Sequence, residues 1–273
     1  MQKKGILLLQ GGLGNQLHQL AALSHFATSC EFKPYVYGFD AKGNSSDDLR
    51  PAYLSLDLST WFQEGAYRNL SLNGWKESLV RGVYGINRRT GLITEINDYE
   101  VGMNLPPLFF LRGFYEDKRF ISNFSDRQLA LNSSHHKDSS SPIKGRIAIH
   151  IRLGDFTDFP NKNLGAPYYK SALQQAGIST DEKLDVFSDD MKTAEKILNQ
   201  IGYGRLNFPE RTRNLNATEL LSAISVYETI IASQSTLCWW ACVVATRRNP
   251  CVKVFHTWNA KLSLSSWNSV ELN

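Results

Sequence analysis

Short apolar runs along the chain alternate with longer stretches in which apolar residues recur at helical spacing. Gly5 to Gln10 contains four consecutive aliphatic residues, Ile6 to Leu9, and predicts a strand covered on both faces. A glycine-rich turn follows, Gln10-Gly11-Gly12-Leu13-Gly14-Asn15-Gln16. From about Asn15 to Thr28, Leu17, Leu20, Ala21 and Phe26, with Leu23 and Ala27 beside them, form a broad apolar helical face. Phe32 to Tyr37 predicts a second strand, so the chain opens as β-turn-α-β. Residues 41 to 105 lose this rhythm and predict an irregular region with short helices between Trp61 and Arg89. Pro106 to Phe114 predicts a buried strand ending at Gly113, with Tyr115 and Glu116 at its exit.

The rhythm returns in the second half. Arg146 to Arg152 predicts a strand in which His150 and Arg152, two apart, share a face. Strands at Leu184–Phe187, Thr229–Ala232 and Val252–Phe255, with a weakly extended Arg205–Phe208, alternate with helical stretches. Those helices are expected near Tyr168–Ala176, Ala194–Ile201 and Thr218–Val226, and through Trp239, Trp240 and Ala245. Such alternation means a mostly parallel sheet. Between the halves, Asn132 to Pro142 is polar and serine-rich, the composition of a linker, and His135 and His136 read as solvated parts of it. The expected organisation is therefore an α/β domain at 1–131, a linker at 132–143 and a second α/β domain at 144–273.

A length of 273 residues suits two such domains. The net charge of +4 fits an anionic small molecule, or weak peripheral attraction to an acidic membrane, and is too small to argue for nucleic acid. No basic run with interleaved aromatics points to a nucleic-acid groove either. The four cysteines form no CxxC pair, and Cys238 and Cys242, four apart, read as buried thiols; no metal site is expected. Only four apolar residues follow Met1-Gln-Lys-Lys-Gly5, too few for a secretory signal. The expectation is a cytoplasmic protein, at most touching the inner face of the membrane, and the five Asn-x-Ser/Thr triplets then read as chance.

The polar clusters of the second half fall at the carboxyl ends of strands, where parallel α/β sheets bind ligands. Arg152 offers a bidentate fork for a phosphate. Ser233-Gln234-Ser235-Thr236 lies between a strand and a helix, so its hydroxyls and backbone N–H groups form an anion cradle. Asp189 and Asp190 would accept from ribose hydroxyls or orient Arg152. Each has a plainer reading, Arg152 in a salt bridge with Asp155 and the others as helix caps. Their co-occurrence in one domain favours a diphosphate site. The amino-terminal turn nearly matches the dinucleotide fingerprint: Gly12 and Gly14 fit, but Leu17 takes the third glycine position and no acid ends a strand about 20 residues on. Two Rossmann-like domains facing a cleft, with a diphosphate site in the second, suggest a nucleotide-sugar glycosyltransferase.

The motifs resemble those of the bacterial-type α-1,2-fucosyltransferases. Gly11-Gly12-Leu13-Gly14-Asn15-Gln16 matches that family's opening turn letter for letter. The family's His-x-Arg-Arg-Gly-Asp is His150-Ile151-Arg152-Leu153-Gly154-Asp155 here, and its Phe-Ser-Asp-Asp is Phe187-Ser188-Asp189-Asp190. Its Asn-Ser-Ser/Thr-Phe-Ser-Trp-Trp corresponds to Gln234 through Trp240, its Gly-Tyr-Trp-Gln to Gly113 through Glu116, and its Tyr-Tyr pair to Tyr168-Tyr169. The matches run in order over about residues 5 to 258. The resemblance implies a GT-B-like fold, GDP-fucose as donor substrate with no separate cofactor and no metal, and inversion at the sugar carbon. It also implies a glycan or lipid-linked glycan as acceptor. By that analogy Arg152 holds the β-phosphate, His150 sits by the guanine or ribose, Ser235 and Thr236 take phosphate oxygens, and Asn15 reaches the reaction centre from the other domain; Gly14, His18 and Glu116 are the acceptor-side candidates. Leu153 departs from the family's second arginine, Gln234 from its asparagine, and His256-Thr257-Trp258 from its proline before the tryptophan. Leu220 stands where the family has an acid facing guanine, leaving Glu219 as the substitute. Asp155, Glu116 and His18 are the candidate bases. A catalytically silent glycan- or nucleotide-binding protein, or a transferase of another GDP-sugar, are the alternatives these departures leave open.

Overall fold

A computed structural model of the chain describes residues 2–38, 68–69, 79, 82–83, 85–87, 89–91, 93–96, 104–121, 143–154, 164–209 and 215–271. The chain divides into two compact units, Met1–Leu129 and Ala130–Asn273. The expected linker at 132–142, with His135 and His136, lies outside the described residues, as does Asp155. Ile143, expected to end the linker, instead opens a strand.

The first unit carries β1 (Lys4–Leu9), α1 (Leu13–Cys30), β2 (Lys33–Gly38), β3 (Arg68–Asn69), β4 (Thr94–Ile96) and β5 (Leu108–Leu111). The sheet order is β3-β2-β1-β5-β4, and every pairing is parallel. β3 and β4 correct the expectation of a strandless region at 41–105; at two and three residues they are too short to show a period of two. β5 is shorter than the expected 106–114, because Pro106 and Pro107 bring no N–H to a ladder and the chain turns out after Leu111. Leu8, Tyr37 and Phe110 pack on one face with Ile6, Val83 and Ile93, while the alternate Leu7, Leu9, Val36 and Phe109 are equally buried. Both faces are covered, as the unbroken apolar runs require.

The second unit carries β6 (Ile143–Ile151), α2 (Gly165–Gln175), β7 (Leu184–Ser188), α3 (Met191–Gln200), β8 (Leu206–Asn207), α4 (Ala217–Ile224), β9 (Tyr227–Ile231), α5 (Thr236–Arg248), β10 (Lys253–His256) and β11 (Asn268–Ser269). All pairings are parallel, in the order β11-β10-β9-β6-β7-β8. The odd positions of β6 and its exit, Ile147, Ile149, Ile151 and Leu153, pack against Tyr168, Tyr169, Ala172 and Leu173 of α2 and Ala194 and Leu198 of α3. Alternation then turns His150 toward α5 on the other face. Every residue of α5 from Cys238 to Ala245 is buried, so this helix is covered all round, and Cys238 and Cys242 are the buried thiols their spacing predicts. The chain is thus α/β throughout, with two Rossmann-like parallel sheets. No described helix is long and apolar enough to cross a membrane.

Each sheet has a point where the winding reverses, and there the loops part to leave a crevice at the carboxyl edge. In the second unit it lies between β6 and β9; in the first it lies between β1 and β5. Gln19, fully buried in α1, braces the latter. Its Oε1 accepts from the Gln10 N–H at 2.9 Å and its Nε2 donates to the Gly113 carbonyl at 3.0 Å, tying the exits of β1 and β5 together. Gln19→Leu strands both groups in the interior and is expected to destabilise the first unit by roughly 2–4 kcal/mol, read as a lower urea midpoint.

Candidate active site

The β6/β9 crevice gathers Arg152, Asp189, His150, Ser235 and Thr236 of the residues the sequence singled out. Arg152 follows the last residue of β6 and remains about a third exposed. Its Nη1 lies 2.8 Å from Oδ2 of Asp189, just beyond β7. The other Asp189 oxygen accepts from the Leu153 N–H at 2.8 Å. One carboxylate therefore fixes the backbone and the guanidinium of the same strand exit. Gly154 makes room for it, since a Cβ there would stand 2.5 Å from Asp189 Oδ2. Arg152 is ion-paired as the plainer reading expects, with Asp189 as a partner, and Asp155 lies outside the described residues. Leu153, where the resembled family has a second arginine, points into the α2/α3 core.

His150 is 4% exposed and sits behind the crevice. Its Nδ1 and Ser233 Oγ form a hydrogen bond of 2.7 Å, and the ring also meets the Cys238 thiol of α5. Ser233 Oγ in turn accepts from the Ser235 N–H at 3.2 Å. The imidazole thus positions the turn that leads into α5. Ser235 is the N-cap of α5, yet its hydroxyl makes no capping bond, and Thr236 is the first helical residue. Gln234 Nε2 donates to Thr257 Oγ1 at 3.2 Å, linking the turn to the exit of β10.

Below the turn, Tyr168 OH lies 2.5 Å from the Ala232 carbonyl and 3.1 Å from that of Phe255, and Tyr169 OH donates to the His150 carbonyl at 3.3 Å. Burial pushes both phenols above their ordinary range and keeps them as donors. The Tyr-Tyr pair therefore clamps the ends of β6, β9 and β10 from inside. Asp190 caps α3, accepting from the Thr193 N–H at 3.1 Å and its hydroxyl at 2.7 Å. Glu219 closes a capping box on α4, accepting from the Asn216 N–H at 2.9 Å. Both carboxylates have structural partners, Asp190 as its plainer reading expects.

The remaining candidates sit in the first unit. Gly14 and Asn15 lie in the first turn of α1, at the β1/β5 crevice. His18 is 1% exposed, and burial pulls its pKa down to about 3. Such an imidazole is a very weak base. Glu116 is exposed beyond β5. Among the described residues, no group of three His, Cys, Asp or Glu side chains is placed to hold a metal ion. Residues that sequence reasoning left out of the site are Gln19, Ser233 as a hub, Thr257 and Phe114. Gln19 beside the apolar Leu20, Ala21 and Leu23 was the available signal; the others needed the geometry.

No family profile matches the chain. Across 95% of its length it is 24% identical to the O-antigen biosynthesis glycosyltransferase WbnK of Escherichia coli, and the alignment covers 98% of that protein. Among solved structures it is similar to FUT1 of Arabidopsis thaliana in complex with GDP, at 13% identity and a TM-score of 0.48, covering 98% of this chain and 72% of that one. The fucosyltransferase NodZ from Bradyrhizobium is similar at 12% identity and a TM-score of 0.42, covering 89% and 93%.

His256 closes the rear of the site. Its ring stacks on Trp258 at 5.1 Å and 21°, its Nδ1 accepts from the Trp258 N–H at 2.9 Å, and its Nε2 pairs with Ser263 Oγ at 3.1 Å. Burial lowers its pKa from 6.5 to about 4, and a second ring proton would meet the Trp258 N–H head on. The folded pKa lies below the unfolded one, so the unfolded chain takes up the extra proton first. Stability present above pH 6.5 is lost as the pH falls toward 4, by about 3 kcal/mol for a shift of this size. His256→Gln is expected to be less stable at pH 8 but to flatten this acid limb. Urea midpoints followed by tryptophan fluorescence between pH 4 and 8 report it.

Proposed function

We propose that this protein is an inverting glycosyltransferase that moves fucose from GDP-fucose to a galactoside hydroxyl, in α-1,2 linkage, on a glycan or a lipid-linked precursor. The observation that carries the reading is the Arg152 fork, held by Asp189 at the carboxyl end of β6, next to the Ser233–Thr236 turn that opens α5 on the neighbouring β9. Guanidinium and helix N-terminus together suit the two phosphates of a nucleoside diphosphate. The order of the motifs and the similarity to WbnK along nearly the whole chain support it.

In the reaction so read, the acceptor oxygen bonds to C1 of fucose as the bond from C1 to the β-phosphate oxygen breaks, and GDP leaves with that electron pair. The acceptor proton passes to a carboxylate, Asp155 or Glu116, or ends on the departing phosphate. Arg152 takes up the charge that grows on the leaving group, with Ser235 and Thr236 beside it. Asp189 orients Arg152, and His150 acts through Ser233. Asn15 and Gly14 belong to the acceptor side. No metal is needed to balance the charge in this scheme.

Glu219 bears on the base of the donor. Its carboxylate is turned back on its own helix, so the substitute for the acid at Leu220 is engaged elsewhere, and it is the guanine, not the sugar, that loses a partner.

Arg152→Ala is expected to cut GDP release from GDP-fucose, measured with a panel of galactosides, by at least about a thousandfold. Arg152→Lys should stay far below the parent, because an ammonium cannot fork. An Arg152→Ala protein that keeps most of its activity, or a parent that releases no GDP with any galactoside, sinks the proposal.

A further inference from the structure

We propose that Phe114 is the stacking platform of an acceptor-sugar subsite, with Glu116 as its hydroxyl-binding partner; this rests on the transferase reading above. The segment leaving β5 is unusually constrained. Gly113 has φ +147°, and Tyr115 has φ +52°, a conformation that costs an aromatic residue energy. Both are pinned. The Gly113 carbonyl is held by Gln19. Tyr115 is buried, with its ring edge-on to Phe26 at 5.6 Å and its hydroxyl donating to the Ile96 carbonyl at 2.5 Å.

Between these anchors Phe114 has one direction left, outward, and it is 41% exposed. An exposed phenyl ring alone signifies little. Here, however, a hydrogen-bonded Gly113 on one side and a strained, buried Tyr115 on the other hold it in the open. It also stands at the carboxyl edge of the sheet, where Gln19 ties its segment to the glycine turn at the reversal of winding. Glu116, two residues on, is exposed as well.

An exposed flat apolar ring with an exposed carboxylate two residues on suits a pyranose. The C–H face of the sugar lies on the ring, and hydroxyls at its edge donate to the carboxylate. The occupant is therefore a neutral galactopyranoside with one C–H-rich face. An anionic or purely aliphatic ligand would gain nothing from this pair.

Lactose and N-acetyllactosamine are the probes, used with the full-length protein and Phe114→Ala and Phe114→Trp variants. Saturation-transfer NMR reads sugar binding directly; transfer kinetics read the acceptor and donor KM separately. Phe114→Ala is expected to raise the acceptor KM about tenfold, the worth of one stacked ring, without a matching rise in the donor KM. Phe114→Trp should retain parental acceptor binding, which a general folding defect would not allow. An unchanged acceptor KM in Phe114→Ala, or equal rises for donor and acceptor, overturns the platform. So does a parent protein that turns over GDP-fucose but binds neither galactoside, and the transferase reading survives that result. Phe114-dependent sugar binding without any GDP release would instead sink the transferase reading and leave the platform standing.

Discussion

The Asp189 carboxylate is the constraint on which the second unit's carboxyl edge depends. With one oxygen it takes the Leu153 N–H, and with the other it takes the guanidinium of Arg152. A fork on a flexible stem loses much of its value if it must be ordered on binding. Here the ordering is done by the fold. The same bond makes the exit of β6 a fixed edge and brings Asp189 close enough that only glycine fits at 154. Leu153 completes the arrangement from the other side. It fills the α2/α3 core, so the departure from a second arginine is a packed position and leaves no hole at the site.

The two crevices use different physics. In the second unit, charge and a helix end converge. In the first, the groups at the edge are amides: Gln10, Gln16 and Gln19 are all buried near the glycine turn. Gln19 has both ends bonded, whereas Gln10 Nε2 and Gln16 Oε1 have no hydrogen-bond partner among the described residues. Neutral amides suit neutral hydroxylated ligands, as a guanidinium suits a phosphate.

Much of this was legible beforehand. Short aliphatic runs such as Ile6–Leu9 and Ile147–Ile149, bounded at strand length, announced central parallel strands. Three of the edge strands were not legible: β3, β4 and β11 have two or three residues each, below the length at which alternation can be seen, while β8 lies inside the weakly extended Arg205–Phe208. Arg152 and the Ser233–Thr236 turn stood out since their residue types recur at strand ends for a chemical reason. What the sequence hid was direction. His150, which shares a face with Arg152 by spacing, is buried and bonded to Ser233, and the Tyr168-Tyr169 pair holds the strand ends beneath the turn. Asp189 and Asp190 are neighbours with identical side chains, yet one orients an arginine and the other caps a helix. One residue of backbone rotation separates those roles, and composition carries no trace of it.

Helix α5 carries a last consequence. It is sheathed in protein from Cys238 to Ala245, while its first residues, Thr236 and Leu237, stay partly exposed. The Ser233–Thr236 turn is therefore carried on a body that cannot tilt without disturbing eight consecutive buried residues, a stiffness that comes from the burial of a helix rather than from any residue at the edge.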